Sequence, residues 1–85
     1  MWRIEYTNIA QKFIKLLGSK DKERIMNSVE SLQNNPDLGK QLVGPLQGLR
    51  SLRVGKFRVI YKKEINELII LVVAIGHRKN IYRSY

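Results

Sequence analysis

The chain has no cysteine, a single histidine, only two prolines and no apolar run longer than the stretch from Leu68 to Ile75. Without cysteine there is no disulfide framework, no thiolate nucleophile and no Cys-based zinc site. One histidine excludes a zinc site built from several imidazoles. The Leu68–Ile75 run falls far short of the roughly 20 residues that span a bilayer. No basic region followed by an apolar signal core opens the chain. A soluble, cytoplasmic protein with no membrane partner is the expectation. Acidic residues are scarce where basic ones gather. Residues 1 to 48 hold seven Lys/Arg against five Asp/Glu, and residues 49 to 85 hold nine against two. The net charge of +9 is therefore concentrated in the second half of 85 residues. Such a chain makes one small domain. Its charge favours nucleic acid, an anionic surface or an acidic protein partner.

Hydrophobic periodicity predicts the order βααβββ. Trp2, Ile4 and Tyr6 alternate with Arg3 and Glu5, the period of a short half-buried strand. From Thr7 or Asn8, either a suitable N-cap, Ala10, Phe13, Ile14 and Leu17 fall on one helical face, and Gly18 is expected as the C-cap. Ser19 is expected to cap a second helix with a buried stripe of Ile25, Val29 and Leu32, ended by Asn34-Asn35-Pro36. Residues 36 to 48 read as one long connection, ordered by Leu38, Leu42 and Leu46. Strands follow at about 49–54, 57–62 and 67–75. The third is apolar at nearly every position and reads as central. The expected fold class is α+β, with both helices on one face of a small, mainly antiparallel twisted sheet.

Two basic segments stand out, Arg53-Val-Gly-Lys-Phe-Arg58 and Gly76-His-Arg-Lys-Asn-Ile-Tyr82. Gly55-Lys56 lies between alternating apolar runs, as a two-residue type II′ hairpin turn does. That turn pairs Val54 with Phe57, sets Arg53 opposite Arg58, and puts Leu52 and Val59 on the other face. Like charges directly opposite destabilise a sheet unless an anion lies between them, and phosphate is the natural candidate. The plainer alternative is a solvated face neutralised by acids, of which Glu64 and Glu67 are the nearest in sequence. If Ile65 and Asn66 form the next turn, position 58 faces a residue near 73, and the last strand delivers His77 and Arg78 beside Arg53, Lys56 and Arg58. Arg50 and Lys79 extend the basic surface. Arg78 and Lys79 read equally as a basic tail held by Ile81. His77 is either structural or an acid/base. Tyr82 can pack, stack on a base or use its hydroxyl in proton transfer. Carboxylates are missing from this cluster, which argues against two-metal phosphodiester cleavage. Metal-free cleavage is open to RNA, whose 2′-hydroxyl is a built-in nucleophile, with arginines stabilising the transition state.

The βαα start, the Gly44-Pro-Leu-Gln-Gly-Leu-Arg50 connection, the string Leu52-Arg-Val-Gly-Lys-Phe-Arg-Val-Ile-Tyr61 and the terminal Gly76-His-Arg-Lys-Asn-Ile-Tyr82 occur together and in order. In this combination the chain resembles the RelE/ParE superfamily of toxins from toxin-antitoxin pairs, and specifically its RelE branch, over nearly its whole length. The resemblance implies an endoribonuclease that needs no cofactor. It would cut messenger RNA in the ribosomal A site to leave a 2′,3′-cyclic phosphate. A RelB-like, acidic antitoxin would wrap around it in a hetero-oligomer. Carried over by position, Arg58 is the phosphate-stabilising arginine, Arg78 the second catalytic arginine and Tyr82 the C-terminal tyrosine. Arg53 and Lys56 match basic positions near the scissile phosphate, and His77 stands where some members have lysine. Two rivals remain: a ParE-like inhibitor of DNA gyrase and a noncatalytic RNA-binding module. Tyr82 and Tyr85 are the only aromatics near the basic cluster, fewer than a stacking platform usually offers.

Overall fold

A computed structural model describes residues 1–81. Tyr82, one of the expected site residues, lies outside them. The elements run β1 (Arg3–Tyr6), α1 (Asn8–Lys15), α2 (Ser19–Glu30), β2 (Lys40–Gln41), β3 (Arg50–Val54), β4 (Phe57–Glu64) and β5 (Ile69–His77), with single 3₁₀ turns at Ser31–Gln33 and Gly44–Leu46. The sheet order is β1-β5-β4-β3-β2. β1 runs parallel to β5, and the other neighbours are antiparallel. This is the expected α+β architecture with one strand added.

That added strand, β2, forms within the 36–48 connection, where Lys40 and Gln41 pair with Ser51 and Arg50. Two charged or polar residues among glycines carry no alternating signal, so pairing along the edge of β3 alone makes them a strand. Of the three leucines expected to order this connection, Leu42 packs on the small Ile60–Ala74–Ile81 cluster, whereas Leu38 is largely exposed. Tyr61 does more of the ordering. Its buried hydroxyl donates to Pro36 O at 2.7 Å and accepts from Gly39 N–H at 2.9 Å. A Cβ on Gly39 would meet the tyrosine ring and hydroxyl at 2.7 Å, so glycine is required there.

Thr7 caps α1, its hydroxyl accepting from Ala10 N–H at 3.2 Å and donating to Val73 O at 2.6 Å. Gly18 does not close α1. The helix ends at Leu16, and Gly18, with φ −67°, is the N-cap of α2, which makes Ser19 the first helical residue. A tight α–α connection needs no left-handed residue here, so the glycine's freedom goes unused. Ala10 and Ile14 of α1, with Ile25 and Val29 of α2, are buried against Leu52, Val54, Phe57, Val59, Val72 and Ile75. Both helices thus cover one face of the sheet. On the other face a smaller cluster forms from Ile60, Ala74 and Ile81, with Leu42 and Leu49 beside them.

Strand β5 lies between β1 and β4, as its unbroken apolar run requires, but its register with β4 differs from expectation. The turn is four residues, Ile65 to Leu68, with Glu64 facing Ile69 and Leu68 at φ 55°. No glycine marks that turn, so nothing in the sequence distinguishes it from a two-residue one. A bulge then falls between Ile60 and Tyr61, whose partners are Ala74 and Val72, leaving Val73 without a partner on β4. Arg58 consequently faces Gly76, three residues beyond the expected position 73.

Candidate phosphate-binding site

The β3–β4 hairpin has the register derived from Gly55-Lys56: Val54 with Phe57, Arg53 with Arg58, and Leu52 with Val59. Gly55 is at φ 58° and Lys56 is not in the left-handed region, which fits the II′ rather than the I′ turn. Because Leu52, Val54, Phe57 and Val59 fill the core under the helices, Arg53 and Arg58 stand on the opposite, open face. Arg53 is exposed and Arg58 half-buried. Arg58 Nη1 donates to Ser51 Oγ at 3.4 Å, so its guanidinium leans along β3 away from the hairpin tip. A shallow concavity of about 440 Å³ takes in Lys40, Ser51, Arg53 and Arg58, together with Ser28 and Ser31 of the α2 end. Among the described residues no carboxylate pairs with Arg53 or Arg58.

His77 does not join this pair. It is opposite Phe57, on the helix-covered face, with its ring 5.1 Å from that of Phe57 and 6.3 Å, edge-on, from that of Phe13. The cause is parity. The two extra turn residues between β4 and β5 would have left positions 58 and 77 on one face, and the single bulged residue inverts that relation. Arg78 continues the ladder beyond β5, its N–H donating to Lys56 O at 2.8 Å. A second concavity, of about 400 Å³, is lined by Lys56, His77, Arg78, Lys79 and Asn80. The one expected cluster is therefore two: Arg53 and Arg58 on the open face, and Lys56, Arg78 and Lys79 around His77 at the hairpin tip.

Two acids come to the basic strands from elements distant in sequence, Asp21 to Lys56 and Asp37 to Arg50 and Lys63. Asp21 of α2 lies 3.9 Å from Lys56 Nζ, which also sits 5.4 Å above the Phe57 ring. Asp37 receives an ion pair from Arg50 at 3.3 Å and a short hydrogen bond from Lys63. Arg50 also donates to Gly39 O at 2.7 Å, so this guanidinium holds the 37–39 segment against β3. The hydrogen bond from Lys63, reinforced by the charges of Lys63 and Arg50, holds the Asp37 carboxyl below the usual carboxylate range. Glu64 pairs with Lys62 at the far end of the hairpin. Sequence reasoning missed Arg24, whose guanidinium covers Gly55 so closely that a Cβ there would meet it at 2.7 Å. An exposed helical arginine gives no sequence signal of that contact.

Ile81 positions the chain before Tyr82. A Cβ on Gly76 would meet Ile81 Cδ1 at 2.8 Å, and Gly76 is the partner of Arg58 across β4–β5. The backbone thus leaves the described region close to the open-face arginine. Among the described residues no group of His, Asp and Glu side chains could hold a metal ion. Chemically, both clusters suit phosphate oxygens: arginine forks provide paired donors, and neither concavity contains a carboxylate lining it that would repel an anion.

Residues 3–82 match the family model described as the ParE toxin of the type II toxin-antitoxin system parDE, and the chain belongs to that family, within the RelE/ParE toxin superfamily. It is the toxin of a type II toxin-antitoxin pair. No curated protein matches the sequence. The toxin in the RelBE2 toxin-antitoxin complex of Mycobacterium tuberculosis superposes with a TM-score of 0.84 at 22% identity, over 91% of this chain and 98% of that one. The isolated RelE toxin of E. coli gives 0.78 at 17% identity, over 99% and 94%. A YoeB/ParE toxin from Agrobacterium tumefaciens gives 0.79 at 17%, over 89% and 98%. At such identities these structures share the fold.

Proposed function

We propose that this toxin is a metal-independent endoribonuclease that cuts messenger RNA on the ribosome by attack of the 2′-hydroxyl on the adjacent phosphate, leaving a 2′,3′-cyclic phosphate. The observation that carries the reading is the Arg53–Arg58 pair, two guanidinium groups directly opposite on an open sheet face with no carboxylate partner among the described residues. Such a pair costs stability unless an anion is bound. Arg58 stabilises the charge that develops on the nonbridging oxygens, and Arg53 and Lys40 hold neighbouring phosphates. Arg78, Lys56 and Lys79 receive the strand at the hairpin tip. Proton transfer falls to Tyr82, since His77 faces away from Arg58. The ribosome positions the RNA, which compensates for the missing carboxylate base. A RelB-like acidic antitoxin silences the toxin by covering the basic surface; the RelBE complexes of E. coli and M. tuberculosis share the fold of its toxin component.

The matched family model describes ParE, which favours a second reading as an inhibitor of DNA gyrase with no nuclease chemistry. Primer extension on a defined message programmed into ribosomes separates the two. The nuclease reading expects cuts in the A-site codon that disappear without ribosomes and with Arg58→Ala. Intact message, with gyrase supercoiling inhibited instead, establishes the second reading.

A further inference from the structure

We infer that the toxin binds one unstacked nucleotide of single-stranded RNA across the β5 edge, with its phosphate in the Lys56–Arg78–Lys79 concavity and its base in the adjoining apolar pocket. That pocket, of about 280 Å³, is lined by Ile9 and Phe13 of α1, by the 74–77 segment of β5, and by Asn80 and Ile81. The inference deepens the proposed function, because it takes RNA as the ligand of the basic surface.

Three observations support it. First, the cationic concavity and the apolar pocket share two walls, His77 and Asn80. A nucleotide has this same composition, an anion joined to a flat apolar ring a few ångströms away, whereas a free phosphate uses only the first compartment and an apolar side chain only the second. Second, the pocket offers what a base requires. His77 is exposed yet already tilted against Phe57 and edge-on to Phe13, so its outer ring face is free to stack. Ile9 remains 68% exposed at the rim, an apolar surface that the fold itself does not use. Third, polar groups are available for a base edge. β1 pairs with β5 only as far as Val72, so the 74–77 backbone lies beyond the last strand partner on this edge among the described residues. Asn80 uses its backbone N–H to close the turn onto His77 O at 2.9 Å, and its side-chain amide has no hydrogen-bond partner among the described residues. Unstacked bases are recognised in this way, by stacking together with hydrogen bonds to an exposed edge. His77 thereby becomes a stacking platform, and the position that sequence reading left between structural and acid/base roles has a third use.

The test is a titration of the isotope-labelled full chain, followed by backbone amide NMR, with a 2′-O-methyl trinucleotide that cannot be cut. A second trinucleotide carries an abasic central residue. The base-containing ligand should bind at least about fivefold more tightly, the loss expected when one stacked base is removed. It should also shift the amides of Phe13, Ala74, His77 and Asn80, whereas the abasic ligand should shift only Lys56, Arg78 and Lys79. Ile9→Ser, a neutral change at an exposed site that leaves the fold intact, should erase the difference between the two ligands while the abasic affinity changes little. Equal binding of the two ligands, no binding of either, or shifts confined to Arg53 and Arg58 would overturn the inference. So would an acidic, alternating apolar peptide that shifts the 74–77 amides where the trinucleotide does not, which would assign the edge to a protein strand. Base-dependent binding in a protein that leaves ribosome-bound message intact would count against the nuclease reading alone.

Discussion

Strands β3 and β4 carry two groups of cations that the fold treats in opposite ways. Arg50 and Lys63, at the end of the sheet away from the Gly55 turn, share Asp37, and Arg50 is further tied to a backbone carbonyl. Arg53 and Arg58, three to five residues along the same strands, meet each other across the ladder with no acid between them among the described residues. The first group is architecture, a clamp on the connection that carries β2. The second is two like charges directly opposite on an open face, a mildly unfavourable arrangement that a bound anion would relieve. The bare presence of arginines in a strand therefore says little. What distinguishes a site is whether the fold has spent them. By that measure Arg50, expected among the phosphate-binding residues, belongs with the structural group.

The comparison predicts that stability resides on the covered side and function on the open one. The largest effect expected on folding is from Ile25→Ala. Ile25 is fully buried between α2 and the sheet, and its truncation should cost about 2–5 kcal/mol in denaturant unfolding, enough to leave much of a small domain unfolded. A cost below about 1 kcal/mol would mean that the helix layer is not what holds the sheet. Next in size is Arg58→Ala. On the nuclease reading, cutting of ribosome-bound message should fall by about 10²–10³, as when one donor to a developing anion is lost. Unfolding free energy should move by no more than about 0.5 kcal/mol. A protein that unfolds instead would place Arg58 with Arg50, among the spent cations.

Tyr61→Phe sharpens the comparison from the covered side. Removal of the hydroxyl leaves Gly39 N–H and Pro36 O without their buried partner, and should cost about 1–3 kcal/mol. Burial is also the main reason the Tyr61 hydroxyl is harder to ionise than an ordinary phenol, against the opposing effect of the Gly39 hydrogen bond. A phenol whose folded pKa is raised stabilises fully below about pH 10 and loses that contribution as pH rises further. Wild type should therefore lose more stability than the phenylalanine variant on titration from pH 9 to pH 11. Equal losses would show that the hydroxyl is not held in the protonated form by the fold.

Much of this was legible in the sequence, and the failures have physical causes. Gly55-Lys56 is a strong local turn signal, so the β3–β4 register, the opposition of Arg53 and Arg58 and the burial of Leu52, Val54, Phe57 and Val59 all followed from it. Thr7 as a cap and the stripe Ile25, Val29 and Leu32 followed from helical period. The errors arose where local chemistry is weak and tertiary packing decides. The Ile65–Leu68 turn contains no glycine, and the bulge that leaves Val73 unpaired has no sequence mark, yet it moved His77 to the other face. Asp21 and Asp37 reach Lys56 and Arg50 through folding rather than proximity in the chain, so no local pattern marks those pairs. β2 is two residues long and exists only because the β3 edge is there to pair with.

The smallest effect expected concerns the spent cations themselves. Asp37 is exposed, so its ion pairs are screened and its contribution at neutral pH is slight. Its value lies in the direction of the pH dependence. The hydrogen bond from Lys63 lowers its pKa on folding, so the unfolded chain takes up the proton first. Stability from this group is therefore present above the unfolded value near pH 4 and is lost as pH falls through the lower folded value. Asp37→Asn should lower the midpoint of urea unfolding slightly at pH 7, where the wild type keeps its clamp, and by less at pH 3. The paired measurement is salt: 0.5 M sodium chloride should shrink the pH 7 difference toward the smaller pH 3 one, because the pair is exposed. If the two proteins differ as much at pH 3 as at pH 7, then packing of the 37–39 segment rather than charge holds the β2 connection, and Arg50 and Lys63 are less committed than their geometry indicates. Those two cations would then be free to join Arg53 and Arg58 as a wider anion-binding surface, with a steeper salt dependence of RNA binding as its signature.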